Sequence, residues 1–471
     1  VYTYAYINKT VSATSTEQTM AEITAGVTDG LGTKVSGTKY ASDIPGYTKL
    51  NAYRVWGNIL RISKDYDYGL VRGQVRLGLW TEGSATNRQR YYFDITKCFA
   101  AGCDPFDSAW NYADTNTKKG TTYNGKSGVG YLEHSGWLQY QPFVEIDIKP
   151  TSDLTITPGF KYIDWTHSIS APVISGSKPP VAYSGPDHFV TSRALPFLTA
   201  NYRLGDSWSS YFQYAQGIYV PDISVFEQKG PVASFPAAET TTNYQIGTVY
   251  YADNFSFDAD LYYIGVNNNY SYVSCATIGG SSGEYCALNT GKAIYKGVEG
   301  EATYSFAGLF GDAGWLDGLM LFGNGSLNSA KSDGLQLNNA PLWTAAAGLI
   351  YKWNGINFSL VDKTVGQQYL DSAHVDANGV SAGAAGYRGS AFYHLGAYST
   401  VNLTVGYSFE NFEAKIGVNN LFDDRSIVSM SINDSAPSGT SVKDLASRGS
   451  SLDQYYFQAA RSVQFTLKAK L

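Results

Sequence analysis

The stretch Val463-Gln-Phe-Thr-Leu-Lys-Ala-Lys-Leu471 decides the fold of this chain. Its odd-numbered residues are all apolar, and its even-numbered residues are all polar or charged. Because side chains alternate between the two faces of a β-strand, this strand has one apolar and one polar face. The same period runs through Phe412–Phe422 and recurs along most of the chain. One face toward lipid and one toward a polar lumen are typical of a transmembrane β-barrel.

The composition agrees with a barrel and argues against other classes. Aromatic residues make up 15% of the 471 residues, with 38 tyrosines, whereas charged residues make up only 16%. Aromatic girdles at both membrane interfaces explain this balance. No apolar run reaches the roughly 18 residues that a transmembrane helix needs. The net charge of −6, without a basic stripe, argues against a nucleic-acid partner.

The alternation and the turn residues predict an all-β, antiparallel, up-and-down barrel domain over residues 1–471, with about sixteen strands. Short and long connections alternate, as in barrels with inner turns and outer loops. Pro142 and Pro158 fall inside strands, and we expect bulges there because proline removes a ladder donor. The predicted strands are 1–9, 52–65, 70–83, 135–149, 154–167, 193–204, 208–220, 242–252, 255–271, 290–306, 319–332, 342–353, 356–371, 393–409, 412–424 and 455–471. The predicted outer loops are 10–51, 84–134, 168–192, 221–241, 272–289, 333–341, 372–392 and 425–454.

The four cysteines form two local pairs, each within a predicted outer loop. Cys98 lies near Cys103, and Cys275 lies near Cys286. Close pairs in an oxidising compartment favour two small disulfides. Free thiols or a metal site are the alternatives, but a second ligand pair with zinc-like spacing is not evident. We therefore predict two outer-loop disulfides and no metal site.

Two segments near the C-terminus resemble a known family. Gly417-Val-Asn-Asn-Leu-Phe-Asp423 and Arg461-Ser-Val-Gln-Phe-Thr-Leu467 are similar to the C-terminal signature of TonB-dependent outer-membrane receptors. Weaker similarities follow the family's order over roughly residues 190–471, and the ordered set is more specific than any single string. These are Tyr214-Ala-Gln-Gly217 with Pro221, Asn243-Tyr-Gln-Ile-Gly247, Tyr295-Lys-Gly-Val-Glu-Gly-Glu301, Phe322-Gly-Asn-Gly-Ser326, Asn339-Ala-Pro-Leu342 and Gly366-Gln-Gln-Tyr369.

The resemblance implies a barrel of about 22 strands that is plugged by an N-terminal domain. The plug, the TonB-binding segment and roughly the first six strands are then expected to lie outside this sequence. The resemblance also implies a receptor in the bacterial outer membrane that imports a scarce ligand, typically a ferric siderophore. Its partners would be the lipid bilayer, the TonB complex and the siderophore-like ligand, with proton motive force as the energy source and no cofactor in the chain.

A cationic and aromatic cluster is predicted where the third strand leaves the membrane. It consists of Trp80, Arg88, Arg90, Tyr91 and Tyr92, with Trp165, His167, Tyr219 and Phe226 expected at the same level. Such residues could hold an anionic, aromatic iron chelate by charge and stacking. An aromatic girdle with loop packing is the alternative. No catalytic residue is predicted, because nothing in the sequence fixes the geometry of an enzyme site.

Two other functions fit parts of the sequence. Sixteen strands is a porin-like number, and a passive porin would conduct without a plug or an energy source. A soluble all-β carbohydrate-binding protein or glycosidase is the other alternative, although repeats of about 40 residues, as in propellers, are not evident. Solubility without detergent would favour this second alternative over any membrane barrel.

Overall fold

The structure is a computed structural model that describes residues 2–7, 45–69, 71–94, 121–124, 126–173, 182, 188–220, 237–274, 285–309, 311, 314–332, 335–337, 339–371, 393–431 and 454–469. These residues contain no helix that is long and apolar enough to cross a bilayer. The strands, in chain order, are β1 (Tyr2–Ile7), β2 (Pro45–Asp67), β3 (Arg72–Asp94), β4 (Thr121–Tyr123), β5 (Lys126–Lys149), β6 (Leu154–Val173), β7 (His188–Arg203), β8 (Trp208–Tyr219), β9 (Glu239–Tyr251), β10 (Phe255–Ser274), β11 (Tyr285–Ser305), β12 (Leu319–Ser332), β13 (Leu335–Gln336), β14 (Trp343–Trp353), β15 (Ile356–Val365), β16 (Gln368–Asp371), β17 (Tyr393–Leu395), β18 (Tyr398–Phe409), β19 (Phe412–Asn419), β20 (Ile427–Ser431), β21 (Gln454–Phe457) and β22 (Ser462–Ala469).

Sixteen strands form one antiparallel meander in which each strand pairs with the next. The sheet has eighteen strands, but β4 and β13 only extend the outer ends of β5 and β12. The pairs β16–β17 and β20–β21 form separate two-stranded sheets. The predicted all-β, up-and-down fold is therefore confirmed. The order of the meander is β1, β2, β3, β5, β6, β7, β8, β9, β10, β11, β12, β14, β15, β18, β19 and β22.

The first and last strands of the meander are its edges. β1 pairs with Gly46–Asn51 near the outer end of β2, and β22 pairs with β19. Among the residues that the structure describes, no ladder joins β1 to β22. We call this meander the wall.

Short connections lie together at one end of the wall, as predicted for inner turns. One of the two-residue turns is Asn354-Gly355, whose φ angles are +45° and +83°. Two residues in this left-handed region match the right-handed twist of the strands that they join. The predicted alternation of short inner turns and long outer connections is confirmed. The inner connections are residues 68–71, 150–153, 204–207, 252–254, 306–318, 354–355 and 410–411.

The outer ends of several strands extend further than predicted. β3 continues to Asp94 and β5 begins at Lys126, so much of the predicted loop 84–134 is strand. The predicted loop 272–289 similarly shrinks to residues 275–284. These boundaries were wrong because a strand that leaves the bilayer no longer has a face in contact with lipid. The apolar–polar period then weakens, although the backbone ladder continues.

Cross-strand register separates an inner face from an outward face. Directly opposed residues of an antiparallel pair share a face, and Arg76 opposes Glu145. The intervening positions carry Leu77 and Leu79, which are 49% and 38% exposed. The polar face lines the lumen, and the apolar face is the one that meets lipid.

Two prolines interrupt the ladder between β5 and β6 without a bulge. Pro142 remains paired with Leu79 of β3, and Pro158 remains paired with Leu198 of β7. Between β5 and β6 the pairing skips residues 141–142 and 146–147, then resumes in the same register. The expected bulges were wrong, because both missing donors fall in one seam between two strands that otherwise stay aligned.

The side chain of Asn420, 3% exposed, ties the end of β19 to the approach of β22. It donates hydrogen bonds to the carbonyl oxygens of Asp424 and Ala459, both at 2.8 Å, and accepts one from the Asp424 N–H at 2.9 Å. The Asp423 carboxylate accepts the backbone N–H of Arg461 at 2.8 Å. Asn420 and Asp423 have φ angles of +51° and +54°, which asparagine and aspartate tolerate better than most residues. Residues 420–424 and 459–461 therefore form one hydrogen-bonded unit, which we call the terminal knot.

Candidate functional site

The strand β3 presents Arg88 and Arg90 on the lumen face, well above the part that spans the bilayer. Arg88 opposes Glu133 of β5, and Arg90 opposes Tyr131. Arg88 Nη1 lies 3.3 Å from Glu133 Oε2, and Glu133 is only 1% exposed. The guanidinium groups of Arg88 and Arg90 lie 5.5 Å and 5.0 Å from the centre of the Tyr131 ring. We call these four residues the arginine–tyrosine cluster.

Three cations lie close together at this level of the lumen wall. Arg88 and Arg90 flank the Tyr131 ring, and Lys49 of β2 directly opposes Arg90 on the same face. Arg88 also pairs with the Glu133 carboxylate. This grouping of cations can attract a negatively charged guest.

Tyr131 provides a neutral ring between the two cations. It is 2% exposed, and this burial raises the pKa of its phenol, while the nearby Arg90 and Arg88 act in the opposite direction. The phenol therefore stays protonated at neutral pH, and its face attracts the guanidinium groups as a cation–π partner. Burial of this ring holds both arginine side chains in place beside the lumen.

Not all of the predicted cluster lies together. Tyr91 donates a hydrogen bond from its hydroxyl to Gln89 Oε1 at 3.1 Å, so it shares the outward face with Gln89 and not the lumen face with Arg88 and Arg90. Its predicted place in the cluster was wrong, because adjacent strand residues point to opposite faces. Tyr92 belongs to β3, but its side chain lies outside the described residues, as does all of Phe226.

Trp80 lies deeper in the lumen than the arginines. Eight positions separate it from Arg88, or roughly 26 Å along an extended strand. Trp80 lines a cavity of about 500 Å³ together with Arg76, Glu145 and Lys161. Trp80 and the arginine–tyrosine cluster are therefore two separate levels of the lumen wall, and not one cluster as predicted.

An aromatic row on β6 and β7 lies between these two levels. The ring centres of Trp165 and His167 are 5.2 Å apart, and those of His167 and Phe189 are 6.2 Å apart. His167 is 3% exposed, and Trp165 packs with Ile163 and Leu195 in a small buried cluster. The predicted proximity of Trp165 and His167 is thus present, with Phe189 as an additional member.

Tyr219 does not belong to this row of contacts. The pairing of β8 with β7 reaches only to Ala215, and Tyr219 lies four positions further on, at the end of β8. It faces Glu239 of β9 and is 55% exposed. Tyr219 therefore lines a different part of the outer mouth.

Sequence reasoning missed Tyr131, Glu133 and Phe189. All three lie in segments that were predicted to be loops, where the alternation no longer distinguishes the faces. The available signal was the cross-strand register, since extending the β3–β5 pairing upward brings Glu133 to Arg88. Finding these residues required the strands to be followed beyond the bilayer.

The lower lumen contains a network of charged side chains. Arg76 donates to Asp147 through both Nη atoms at 2.7 Å and to Glu145 through Nε at 2.8 Å. Thr157 of β6 donates to the same aspartate at 2.8 Å. The network joins the strands β3, β5 and β6 from the inside.

The inner faces of β10 and β11 carry opposed carboxylates. Asp258 opposes Glu301, and Asp260 opposes Glu299. Such pairs repel unless a cation lies between them. Among the described residues, no group of three or more His, Cys, Asp and Glu side chains is arranged to hold a metal ion.

The predicted disulfides lie outside the described residues. Cys98, Cys103 and Cys275 have no described position, and Cys286 lies in β11 opposite Val273 with its side chain undescribed. Their pairing remains a prediction.

Comparisons with known proteins match this architecture. The profile of the family described as "TonB dependent receptor-like, beta-barrel" matches residues 3–421. The pesticin receptor of Yersinia enterocolitica is 24% identical over 325 residues, which are 66% of this chain and 43% of that receptor. This chain therefore spans less than half of that relative.

Several solved structures have a similar fold. The ferric yersiniabactin uptake receptor FyuA from Yersinia pestis aligns with a TM-score of 0.61 and 18% identity. The alignment covers 90% of this chain and 55% of the FyuA chain. The ferric citrate transporter FecA, in its unliganded form, gives the same TM-score over the same shares at 17% identity. At such identities the likeness shows the fold alone.

Proposed function

Because this chain belongs to the TonB-dependent receptor-like β-barrel family, we propose that it is the barrel part of a receptor that actively imports a scarce ligand. Members of this family are outer-membrane proteins and transport receptors, not enzymes, and the chain is an outer-membrane protein. Its energy would come from the proton motive force through TonB. A passive porin is the alternative outcome, whereas family membership excludes the soluble carbohydrate-binding alternative.

The observation that carries the proposal is the positive charge at the outer mouth of the lumen. Arg88 and Arg90 of β3 and Lys49 of β2 lie together on the lumen side, where Arg88 pairs with the buried Glu133 carboxylate of β5. A receptor for an anionic chelate needs fixed cations and aromatic faces at its entrance. The arginine–tyrosine cluster and the aromatic row of Trp165, His167 and Phe189 supply both.

A ferric siderophore or a similar ferric chelate is the proposed cargo. The two solved structures above are an uptake receptor for ferric yersiniabactin and a transporter of ferric citrate. Iron would enter as part of the cargo, so no resident cofactor is proposed for the chain. The predicted ligand residues on the lumen face, Trp80, Arg88, Arg90, Trp165 and His167, would line its path.

A plug domain and further strands would complete the receptor. The described ladder leaves β1 and β22 unpaired with each other, and the chain spans about half of the length of its relatives. About six further strands would close a barrel of about 22 strands. The opposed carboxylates of β10 and β11 would then face cationic groups of a plug, and TonB would act through that plug.

The four cysteines are proposed to form two disulfides on the outer side of the wall, Cys98 with Cys103 and Cys275 with Cys286. An impermeant thiol reagent should label intact cells only after reduction. Labelling without reduction would reject the pairing.

The first test is uptake of a panel of ferric siderophores by cells that express the full-length protein, with and without a protonophore. The proposal expects selective uptake that the protonophore abolishes. Uptake that is unselective and indifferent to the protonophore would identify a passive porin instead.

The Arg90→Gln variant tests the mouth directly. It removes one cation and its contact with Tyr131 but leaves the Arg88–Glu133 ion pair in place. Each charge-assisted contact is worth about 1.5–3 kcal/mol, so apparent affinity for the ferric chelate should fall roughly 10- to 100-fold. Arg54→Gln, on the exposed outward face of β2, is the matched control and should leave uptake unchanged. Equal uptake by both variants would exclude this mouth as the binding site.

A further inference from the structure

A second group of cations and aromatic rings lies deeper in the lumen than the arginine–tyrosine cluster. The cavity of about 500 Å³ that Trp80 lines is also lined by Arg61, Arg76, Phe143 and Lys161. We call it the middle cavity. It lies roughly 26 Å below the arginine–tyrosine cluster along an extended β3. Cationic groups beside aromatic rings therefore occur at two levels of the lumen wall.

One row of opposed residues across four strands forms the back of the middle cavity. Gly78 lies two positions from Arg76 and therefore on the lumen face. Arg61 of β2 opposes Gly78 of β3, and Phe143 of β5 opposes Gly78 on its other side. Lys161 of β6 in turn opposes Phe143. Because neighbouring strands lie about 4.8 Å apart, the backbones of Arg61 and Lys161 are roughly 14 Å apart, with the aromatic ring between them.

The ring of Phe143 lies against the wall between the two cations. It occupies the space that a Cβ atom at Gly78 would fill, so the glycine lets the ring settle onto the sheet. Trp80, two positions above Gly78, adds a second ring on the same face. Aromatic rings attract one another in offset-stacked and edge-to-face arrangements. A guest that carries a ring would therefore find aromatic partners in the middle cavity.

The cations at the two ends of this row are suited to an anion. Arg76 and Glu145, which both line the cavity, bind each other at 2.8 Å, and Arg76 also binds Asp147 at 2.7 Å. These three side chains are therefore a fixed part of the wall. Arg61 and Lys161 add two further cations to the lining. Because a cleft with low-dielectric walls focuses the field of its charges, they can attract an anionic group and hold it by charge-assisted hydrogen bonds.

The size of the middle cavity suits a small molecule. Its volume of about 500 Å³ lies within the range of roughly 300–1,000 Å³ that is usual for ligand sites. We propose that it is a second binding site on the import path, which holds an aromatic carboxylate or a similar ring-bearing anionic group of the cargo below the mouth. A side chain of the plug is the alternative occupant, but the recurrence of cations with aromatic rings at two levels of one wall favours the cargo. This inference rests on the proposed function, since the cargo must pass through the lumen.

The experiment measures binding of 4-fluorobenzoate to the full-length protein in detergent, from the broadening of its ¹⁹F nuclear magnetic resonance signal. The protein carries Arg90→Gln, which weakens anion binding at the mouth and leaves the middle cavity unchanged. 4-Fluorobenzamide has the same ring without the charge, and fluoroacetate has the charge without the ring. Binding of 4-fluorobenzamide should be at least roughly tenfold weaker than that of 4-fluorobenzoate, because charge-assisted hydrogen bonds are lost. Binding of fluoroacetate should be about 2- to 10-fold weaker, because the aromatic contacts are lost.

Variants of the lining residues locate the bound probe. Arg61→Gln and Lys161→Gln should each weaken binding of 4-fluorobenzoate roughly tenfold, and Phe143→Leu about 2- to 10-fold. The matched controls are Arg72→Gln, an exposed cation on the lumen face of β3, and Phe197→Leu, whose ring occupies the space over Gly159 in the next row. Both control side chains lie outside the middle cavity, so both variants should bind the probe as the Arg90→Gln protein does.

The outcomes separate this inference from the proposed function. Equal binding of 4-fluorobenzoate and 4-fluorobenzamide, or an equal loss in the lining and control variants, would overturn the second site. Absence of binding would also overturn it and would leave the middle cavity to the plug. If uptake by the unchanged protein is nevertheless selective and sensitive to the protonophore, the second site alone is rejected. Unselective uptake that is indifferent to the protonophore would instead reject the proposed function.

Discussion

Two sides of the wall differ in height. The strands β2, β3 and β5 have 23, 23 and 24 residues, whereas β14, β15 and β19 have 11, 10 and 8. A transmembrane strand needs about 9–11 residues. The second group is therefore close to the minimum length that a membrane requires, and the first group has about twice that length. We call β2, β3 and β5 the tall wall. We call β14, β15, β18, β19 and β22 the short wall.

This difference in strand length shows where the candidate site lies. Val129, Tyr131 and Glu133 are all nearly inaccessible, and all lie in the part of β5 that exceeds the bilayer. The residues of β22, in contrast, are exposed along the whole strand. The bilayer sets the length of the short wall, while the surplus length of the tall wall supports the mouth.

The largest expected effect tests whether the short wall depends on the terminal knot. Asn420→Ala removes three hydrogen bonds and leaves backbone groups of Asp424 and Ala459 without their partner. Each part-buried hydrogen bond contributes about 0.5–1.5 kcal/mol, so we expect the free energy of unfolding to fall by about 2–4 kcal/mol. Urea unfolding of the refolded protein in detergent, followed by tryptophan fluorescence, measures this change.

The neighbouring Asn419→Ala is the control for the knot. Asn419 is exposed, and its side chain makes one long hydrogen bond to Ser462 at 3.3 Å. Its loss should cost no more than about 0.5 kcal/mol. If both alanine variants unfold at the same urea concentration, the knot does not hold the short wall.

An intermediate effect is expected in the tall wall. Arg76→Gln leaves Glu145 and Asp147 as adjacent carboxylates on the inner face of β5. These side chains are 31% and 20% exposed, so solvent screening reduces the loss to about 1–2 kcal/mol of unfolding free energy. The same urea experiment measures the loss. Arg72→Gln, an exposed position on the same face, should change stability little, and a loss as large as that of Arg76→Gln would contradict the role of the network.

The smallest effect is a pH dependence of the short wall. Hydrogen bonds from the Arg461 backbone N–H and from the Arg425 side chain lower the pKa of Asp423. A lowered pKa in the folded state stabilises the fold above the unfolded pKa of about 3.9, and this contribution disappears as pH falls through the folded value. In Asp423→Asn, the urea midpoint should therefore decrease less between about pH 6 and pH 3 than in the unchanged protein. The control is Asp253→Asn at an inner turn, whose urea midpoint should decrease as that of the unchanged protein does. If the midpoint of Asp423→Asn also decreases as much, Asp423 is not the titrating group.

The two-residue period predicts the fold because lipid and lumen impose it on each membrane-spanning strand. It identifies the sixteen strands, their direction and the inner turns, including Asn354-Gly355. It fails for the upper part of β3 and β5, because lipid no longer meets the outward face there. The height difference between the two sides of the wall is therefore invisible in the pattern.

The candidate site was predictable in its residue types and less so in its grouping. Arg88 and Arg90 were found because cations beside aromatics are unusual where a strand leaves the membrane. Their partners Tyr131 and Glu133 lie about forty positions away, and only the register of β3 with β5 brings them together. Tyr91 was misplaced for the converse reason, since proximity in sequence puts neighbours on opposite faces of a strand.

The seam at Pro142 and Pro158 has a mechanical consequence. Main-chain pairing is interrupted between β5 and β6, but the side chain of Thr157, next to Pro158, crosses the gap to Asp147. At this seam a side-chain hydrogen bond joins the two strands, while elsewhere backbone hydrogen bonds join them. Ions in the lumen have little effect on backbone hydrogen bonds. The Thr157 hydrogen bond, in contrast, ends on the Asp147 carboxylate, which also binds Arg76. The lateral stiffness of the tall wall therefore depends, along this one line, on the charge of the lumen contents.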